Sequence, residues 1–247
     1  LDHQSTTPCD PEVLAAMEPY WNEHWGNPSN RQNRPGVLAA AAIELAREKI
    51  ASCLSINPKR VIFTSGATEA NNLALLGNAR AQAIERGKPG HLITLSTEHI
   101  AVLNPLRQLQ QEGFSLTELQ PNQDGLLTAE QLSNALQKDT ILTSIMVANN
   151  EIGVLQPLKE LSQICQERNI VLHSDAAQAF GHIPLSLDKL GIDLASLSSH
   201  KLYGPKGVGA LIIKPNIRIN PLLWGGKQEQ GLRPGSLPVP LIIGFAK

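Results

Sequence analysis

The sequence predicts an α/β fold, a mainly parallel sheet with helices on both faces, and three observations carry that prediction. Apolar runs of strand length recur along the 247 residues. Helix-length segments with charges on one side alternate with them. Small-residue turns join one to the next, which is the rhythm of βαβ crossovers.

Residues 37–54 (VLAAAAIELAREKIASCL) are rich in alanine with charges on one side, a strong helix. The segment before it, 26–36, is crowded with Asn, Pro, Gly and Arg and reads as an exposed loop. Residues 61–65 (VIFTS) form a strand, with a helix from Glu69 to about Arg86 after it. Strand 91–96 (HLITLS) and helix 101–111 follow, and 115–119 with 128–137 repeat the pattern. Residues 141–148 (ILTSIMVA) are β-rich and 159–168 helical, after which 170–175 (IVLHSD), 194–198 and 208–213 are strands. The last segment, 237–247 (LPVPLIIGFAK), opens like a buried helix and stops after about two turns, so it needs something to pack on. The chain is therefore expected to be truncated, with apolar surface around Leu241 and Phe245 left open.

Composition narrows the function. Hydrophobic residues at 42% and charged residues at 17% are those of a globular domain with a sizeable core. A net charge of -1 without long single-sign runs gives no reason to expect nucleic acid or a membrane surface as partner. The three cysteines, Cys9, Cys53 and Cys165, are never paired as C-x-x-C, so neither a disulfide framework nor a metal site is expected. No run reaches the roughly 18 apolar residues that a membrane span needs, and no secretion signal opens the chain. A cytoplasmic protein is the expectation.

Chemistry gathers where strands end. Thr64-Ser65-Gly66-Ala67-Thr68-Glu69 places a small-residue turn before a helix, whose free amides and Thr68 hydroxyl suit an anion; Ser65 or Thr68 can equally serve as a plain cap. Asp175 ends an apolar strand, where ligands of open α/β sheets sit, although such an Asp also caps helices. Gln178 presents an amide to the same place or to solvent. Ser198-Ser199-His200-Lys201 follows the next strand, and a lysine there is ordinarily a solvated charge. Together the three change meaning. A lysine that can form an imine, an acid for a pyridinium nitrogen and a helix start for phosphate are what pyridoxal phosphate requires. His99, in Ser96-Thr97-Glu98-His99, can stack on a planar ring and move protons, or merely cap a helix. Asn150 follows a strand end too, in a stretch that Asn and Gly alone would make a turn.

The stretches FTSGATEANNLAL, STEH, ANNEIGVLQP, HSDAAQAFG and SSHKLYGPKGVGAL resemble the class V aminotransferase group, and within it the cysteine desulfurases of the NifS and IscS type. The opening LDHQSTTP, the loop GNPSNRQNRPG and the run GGKQEQGLRPGSLPVPLIIGFA fit as well. The resemblance implies a type I pyridoxal-phosphate-dependent transferase fold, a homodimer, and residues 16–247 as the large domain. Residues 1–15 would join a C-terminal small domain that is absent here. It makes Lys201 the cofactor's lysine and Asp175 the partner of the ring nitrogen. His99 stacks on the ring and serves acid–base steps, while Gln178 bonds the ring hydroxyl. Phosphate falls to Ala67, Thr68, Ser198 and His200, with Ser236 reaching in from the other subunit, and Asn150 lies beside the ring. The implied reaction converts L-cysteine to alanine and leaves persulfide sulfur for an iron–sulfur scaffold or another acceptor.

Departures are visible. The family's Gly-Gly-Gly-Gln-Glu reads Gly225-Gly226-Lys227-Gln228-Glu229, and its Arg-Ser-Gly-Thr reads Arg233-Pro234-Gly235-Ser236, where Pro234 removes a backbone donor. The family's nucleophilic cysteine segment has no counterpart. Cys53 and Cys165 lie in helical patterns and are expected to be buried and inert, with Cys9 exposed in a loop. These residues alone are expected to be inactive as a desulfurase. A cysteine lyase, an aminotransferase, or a non-catalytic protein that binds the cofactor or a desulfurase partner stand as alternatives.

Overall fold

The computed structural model describes residues 2–247. Nine helices and seven strands alternate among them. The helices are α1 (Pro11–Met17), α2 (Pro19–Asn22), α3 (Arg34–Leu54), α4 (Ala67–Arg86), α5 (Ile100–Gln111), α6 (Ala129–Ala135), α7 (Leu158–Glu167), α8 (Leu187–Leu190) and α9 (Val239–Ala246). The strands are β1 (Val61–Thr64), β2 (His91–Leu95), β3 (Ser115–Leu119), β4 (Thr140–Ser144), β5 (Val171–Asp175), β6 (Leu194–Ser198) and β7 (Gly209–Ile213). They form one sheet in the order β1-β7-β6-β5-β4-β2-β3.

Strands β2 to β6 pair in parallel, whereas β7 runs antiparallel to both β1 and β6. The reversal has a simple cause. Residues 199–208 join β6 to β7 without a crossover helix, and so short a link cannot return the chain to the start of a parallel neighbour.

Successive strand residues face opposite layers. Val61, Phe63, Ile93, Leu95, Leu172, Ala195 and Leu197 join α3, α6, α7 and α9 in the main core. Ile62, Leu92, Leu142 and Leu194 face α4 and α5 instead. The α4-facing row turns polar toward the strands' carboxyl ends: Ser144, His173, Asp175, Ser196 and Ser198 are all buried there. His173 spans that row, with Nδ1 2.8 Å from Ser144 Oγ and Nε2 3.0 Å from Ser196 Oγ. Burial holds its imidazole neutral, lowered to about 3.

Three expectations need correction. The regular ladder of β4 ends at Ser144 rather than running to Ala148, because the Met146 amide donates to the Glu98 carboxylate at 2.6 Å instead of a strand. Cys53 is exposed, since it stands just outside the α3 stripe of Ile43, Ala46, Ile50 and Leu54. Cys9 is half-buried rather than open. The last helix also finds its partners: Ile242 and Phe245 of α9 are buried within the core that α3 shares.

The exposed edge of β1 is closed by a buried ion pair. Arg47 Nη1 donates to the Val61 carbonyl at 2.6 Å and to Glu229 at 2.8 Å, while Nη2 reaches the other Glu229 oxygen at 2.7 Å. Glu229 also accepts the Phe63 amide at 2.6 Å, so a free strand edge has its groups satisfied. That ties the loop carrying Glu229 to β1 through this side chain.

Candidate functional site

Because β3 and β5 lie on opposite sides of the β2–β4 pair, the loops leaving β2 and β4 diverge and open a crevice at their carboxyl ends. A cavity of about 570 Å³ lies there. Ala67, Thr68, His99, Asn150, Asp175, Gln178, Ser198, His200 and Lys201 all line it. Ser236 does not; it is exposed on its loop. A larger depression of about 690 Å³ beside α3 holds Arg47 and Glu229, but these satisfy one another.

Each wall has a cause in the local chain. At the start of α4 the N-cap is Gly66, at φ 146° and without any side-chain cap bond, so neither Ser65 nor Thr68 caps the helix. A side chain at Gly66 would have met open space, and the first amides of α4 face the cavity unused. Glu69 reaches back to the Ser65 amide at 2.7 Å and takes Arg233 Nε at 2.9 Å. Burial works to raise this carboxyl, but Arg233 and the Ser65 bonds outweigh it and hold it below the usual range.

Asp175 is held on both oxygens. Oδ1 accepts the Ala177 amide at 2.9 Å and Oδ2 accepts Asn71 Nδ2 at 2.7 Å. Beside it Glu98 is buried, with one oxygen on the Met146 amide and the other without a partner. Burial, and after it the Asp175 charge, push the Glu98 carboxyl well above the usual range despite that amide. Lys201 stands in the same cavity, its amine lowered by burial against the raising pull of Asp175 and Asp2. His200, with Nδ1 3.1 Å from Thr6 Oγ1, is lowered by burial first and then by the charges of Lys201 and Lys206.

His99 turns out to cap a helix and to line the cavity at once. Its Nδ1 accepts the Ala101 amide at 3.1 Å, which leaves Nε2 as the nitrogen free to carry a proton. Gln178 gives one amide proton to the Gln4 carbonyl at 2.7 Å, so the N-terminal segment closes the cavity rim.

The sequence reading missed Asn71 and residues 4–6, which line the site, and Glu98, which is buried close to Asp175 without lining it. Asn71 carried a signal, being an amide on the buried α4 stripe between Ala70 and Leu73. Glu98 carried none, because a carboxylate in a polar loop is usually solvated.

The donor set fits pyridoxal phosphate. Ser198 Oγ is buried without a partner, and Ser198 lines the same cavity as the start of α4, Lys201 and Asp175. An anionic group is the natural partner for that corner.

Comparison with known proteins agrees. Residues 1–247 match the family model for class-V aminotransferases. The chain is 50% identical over 247 residues to the cysteine desulfurase IscS of Rickettsia prowazekii (strain Madrid E), covering 99% of this chain and 60% of the relative. The same figures hold for its counterpart in Rickettsia typhi (strain ATCC VR-144 / Wilmington). The chain thus spans about 60% of the length of the curated relatives it matches. A solved structure described as SspA in complex with cysteine superposes with a TM-score of 0.95 at 42% identity, covering 99% of this chain and 70% of that one. One described as a NifS-like protein superposes with a TM-score of 0.94 at 40% identity, covering 99% and 67%. No helix among the described residues is long and apolar enough to cross a membrane. With a match along its whole length and a sheet whose strand ends bring Lys201 and Asp175 into one cavity, the chain belongs to the class-V aminotransferase family, whose members depend on pyridoxal phosphate.

Proposed function

We propose that this chain is the cofactor-binding part of a cysteine desulfurase, which takes sulfur from L-cysteine and releases alanine. The observation that carries the reading is the cavity itself. It joins a lysine whose charge is disfavoured by burial, a carboxylate held by two donors, and an amide-lined helix start beside an unpartnered serine hydroxyl. Half identity to relatives named cysteine desulfurase supports the choice of reaction.

Pyridoxal phosphate, when bound, supplies an aldehyde for amines and a protonated ring that draws electron density from a substrate's α-carbon. Ala67, Thr68, Ser198 and His200 would hold its phosphate, and Gln178 its ring hydroxyl. Asp175 would keep a proton on the ring nitrogen, and its two bonds from Asn71 and Ala177 hold its carboxylate in one orientation. Lys201 offers a more readily neutral amine than a solvated lysine, which suits it first as nucleophile and later as base. His99 would hold and move a proton at Nε2, which its Nδ1 bond leaves free, and Asn150 would stand beside the ring near the substrate carboxylate.

Overall, the carbon–sulfur bond of L-cysteine breaks as an enzyme thiolate forms a sulfur–sulfur bond. The bond's electron pair stays with carbon, which takes a proton and leaves as alanine. The persulfide then passes to an iron–sulfur scaffold or another acceptor. None of the three cysteines lines the cavity to supply that thiolate. Cys165 is buried and pushed up to about 11, and Cys9 is raised by burial and by Asp10. Ser236, exposed and outside its own cavity, supports its place in a second subunit's site, hence a homodimer. Residues 1–15 joining a small domain, and a reducing cytoplasmic setting for the free thiols, belong to the same proposal.

Residues 1–247 alone, loaded with cofactor, are therefore expected to give neither alanine nor sulfide from L-cysteine. With an added thiol to reduce the enzyme persulfide and release its sulfur, a chimera in which the unmatched C-terminal part of the Rickettsia prowazekii relative follows Lys247 should give both in equal amounts, and its Lys201→Ala variant neither. Pyruvate in place of alanine would make the protein a lyase, and amino-group transfer to a keto acid an aminotransferase. A cofactor-loaded chimera without turnover would favour a binding role.

A further inference from the structure

The turn that carries Lys201 has internal bonds, from the Leu202 and Gly204 amides to the Ser199 carbonyl, but it is also held from outside. Within residues 199–208, Tyr203 adopts φ 61°, a left-handed conformation unfavourable to a bulky side chain. Both backbone groups of Tyr203 are held from outside the turn. Its amide donates to Thr7 Oγ1 at 2.7 Å, and its carbonyl accepts the Asp10 amide at 2.9 Å. The carbonyl of His200, just before Lys201, accepts from the Thr7 amide at 2.9 Å and from the Thr7 hydroxyl at 3.0 Å.

One hydroxyl thus bridges the peptide before Lys201 and the amide two residues beyond it. It gives its single proton and takes one, as a hydroxyl can and a methyl cannot. Thr7 is 6% exposed and lies 193 residues from His200 in sequence, so no local turn requires it. The Lys201 carbonyl itself is held separately, by His182 Nε2 at 2.9 Å.

We propose that Thr7 is a positioning residue for Lys201, its hydroxyl locking the strained turn so that the lysine stands in the cavity with Asp175. The proposal rests on Lys201 being the residue that takes the cofactor's aldehyde. Thr7→Val keeps the shape and loses both hydroxyl bonds, whereas Thr7→Ser keeps them.

The test compares wild type, Thr7→Val and Thr7→Ser with added pyridoxal phosphate, each shown to be folded by circular dichroism. Two quantities are read: the rate at which borohydride fixes cofactor on Lys201, and the pH midpoint of the bound cofactor's visible absorbance. Thr7→Val should trap about tenfold more slowly with a displaced midpoint, and Thr7→Ser should stay within about twofold of wild type. Equal rates and midpoints in wild type and Thr7→Val would overturn the proposal while leaving the cofactor site standing. A folded wild type without any adduct on Lys201 would instead remove the functional reading, and this proposal with it. If Thr7→Val does not fold, Tyr203→Gly supplies a background in which the left-handed residue costs nothing. Adding Thr7→Val there should again slow trapping, and no change would overturn the proposal.

Discussion

Replacing Asp175 by asparagine is expected to weaken pyridoxal phosphate binding on the order of a hundredfold while leaving the fold intact, because a charge-assisted bond to the ring nitrogen is lost. The fold should survive for a reason visible beside it. Asn71 donates to Asp175 Oδ2 at 2.7 Å, and its own Oδ1 is buried without a partner. Turning the Asn71 amide over would present that oxygen to the new side-chain NH₂ of Asp175→Asn, while the remaining oxygen keeps the Ala177 amide. Absorbance titration with the cofactor reads the affinity, and urea unfolding reads the stability. Unchanged affinity would show that Asp175 does not face the ring nitrogen, and a collapse of stability would show that its role is structural.

The second large effect is on stability in acid. His173 is buried and held neutral, about 3 against an ordinary 6.5. Below pH 6.5 the unfolded chain takes up a proton there that the folded protein refuses, so this contribution is complete above 6.5 and is lost as pH falls toward 3. The loss is about 1.4 kcal/mol per pH unit, on the order of 3 kcal/mol between pH 6.5 and 4. Glu98 works the other way. Its raised carboxyl stays protonated in the folded state, which favours folding at low pH and costs stability as pH rises above 4.5. The two groups therefore tilt wild-type stability in opposite directions as pH falls, so the wild-type profile alone does not isolate His173. The comparison that isolates His173 is with His173→Gln in urea midpoints at pH 7, 5.5 and 4. The wild-type advantage should shrink steadily with acid; an advantage constant across that range would mean that His173 is charged, or solvated, in the folded state.

Much of the molecule was legible because its strands are buried on both faces and open as short apolar runs, as residues 61–63 and 170–172 do. The site was legible for a related reason. Strand ends in such sheets converge, so Asp175, Lys201 and the start of α4 could be placed together before any coordinates. What stayed hidden depended on contacts distant in sequence. Nothing near Met146 announces that its amide leaves the ladder for Glu98, and nothing near Thr7 announces the Lys201 turn. The reversal of β7 was within reach, since residues 199–208 leave no room for a crossover helix. Cys53 was misplaced because it stands just beside a stripe whose width the sequence does not state.

Borohydride trapping with pyridoxal phosphate, followed by peptide mass analysis on folded protein, tests the central claim most directly. The account predicts one reduced adduct, on Lys201, and none in Lys201→Ala. A folded wild type without adduct, or one modified on the neighbouring cavity lysine Lys206 instead, would contradict it.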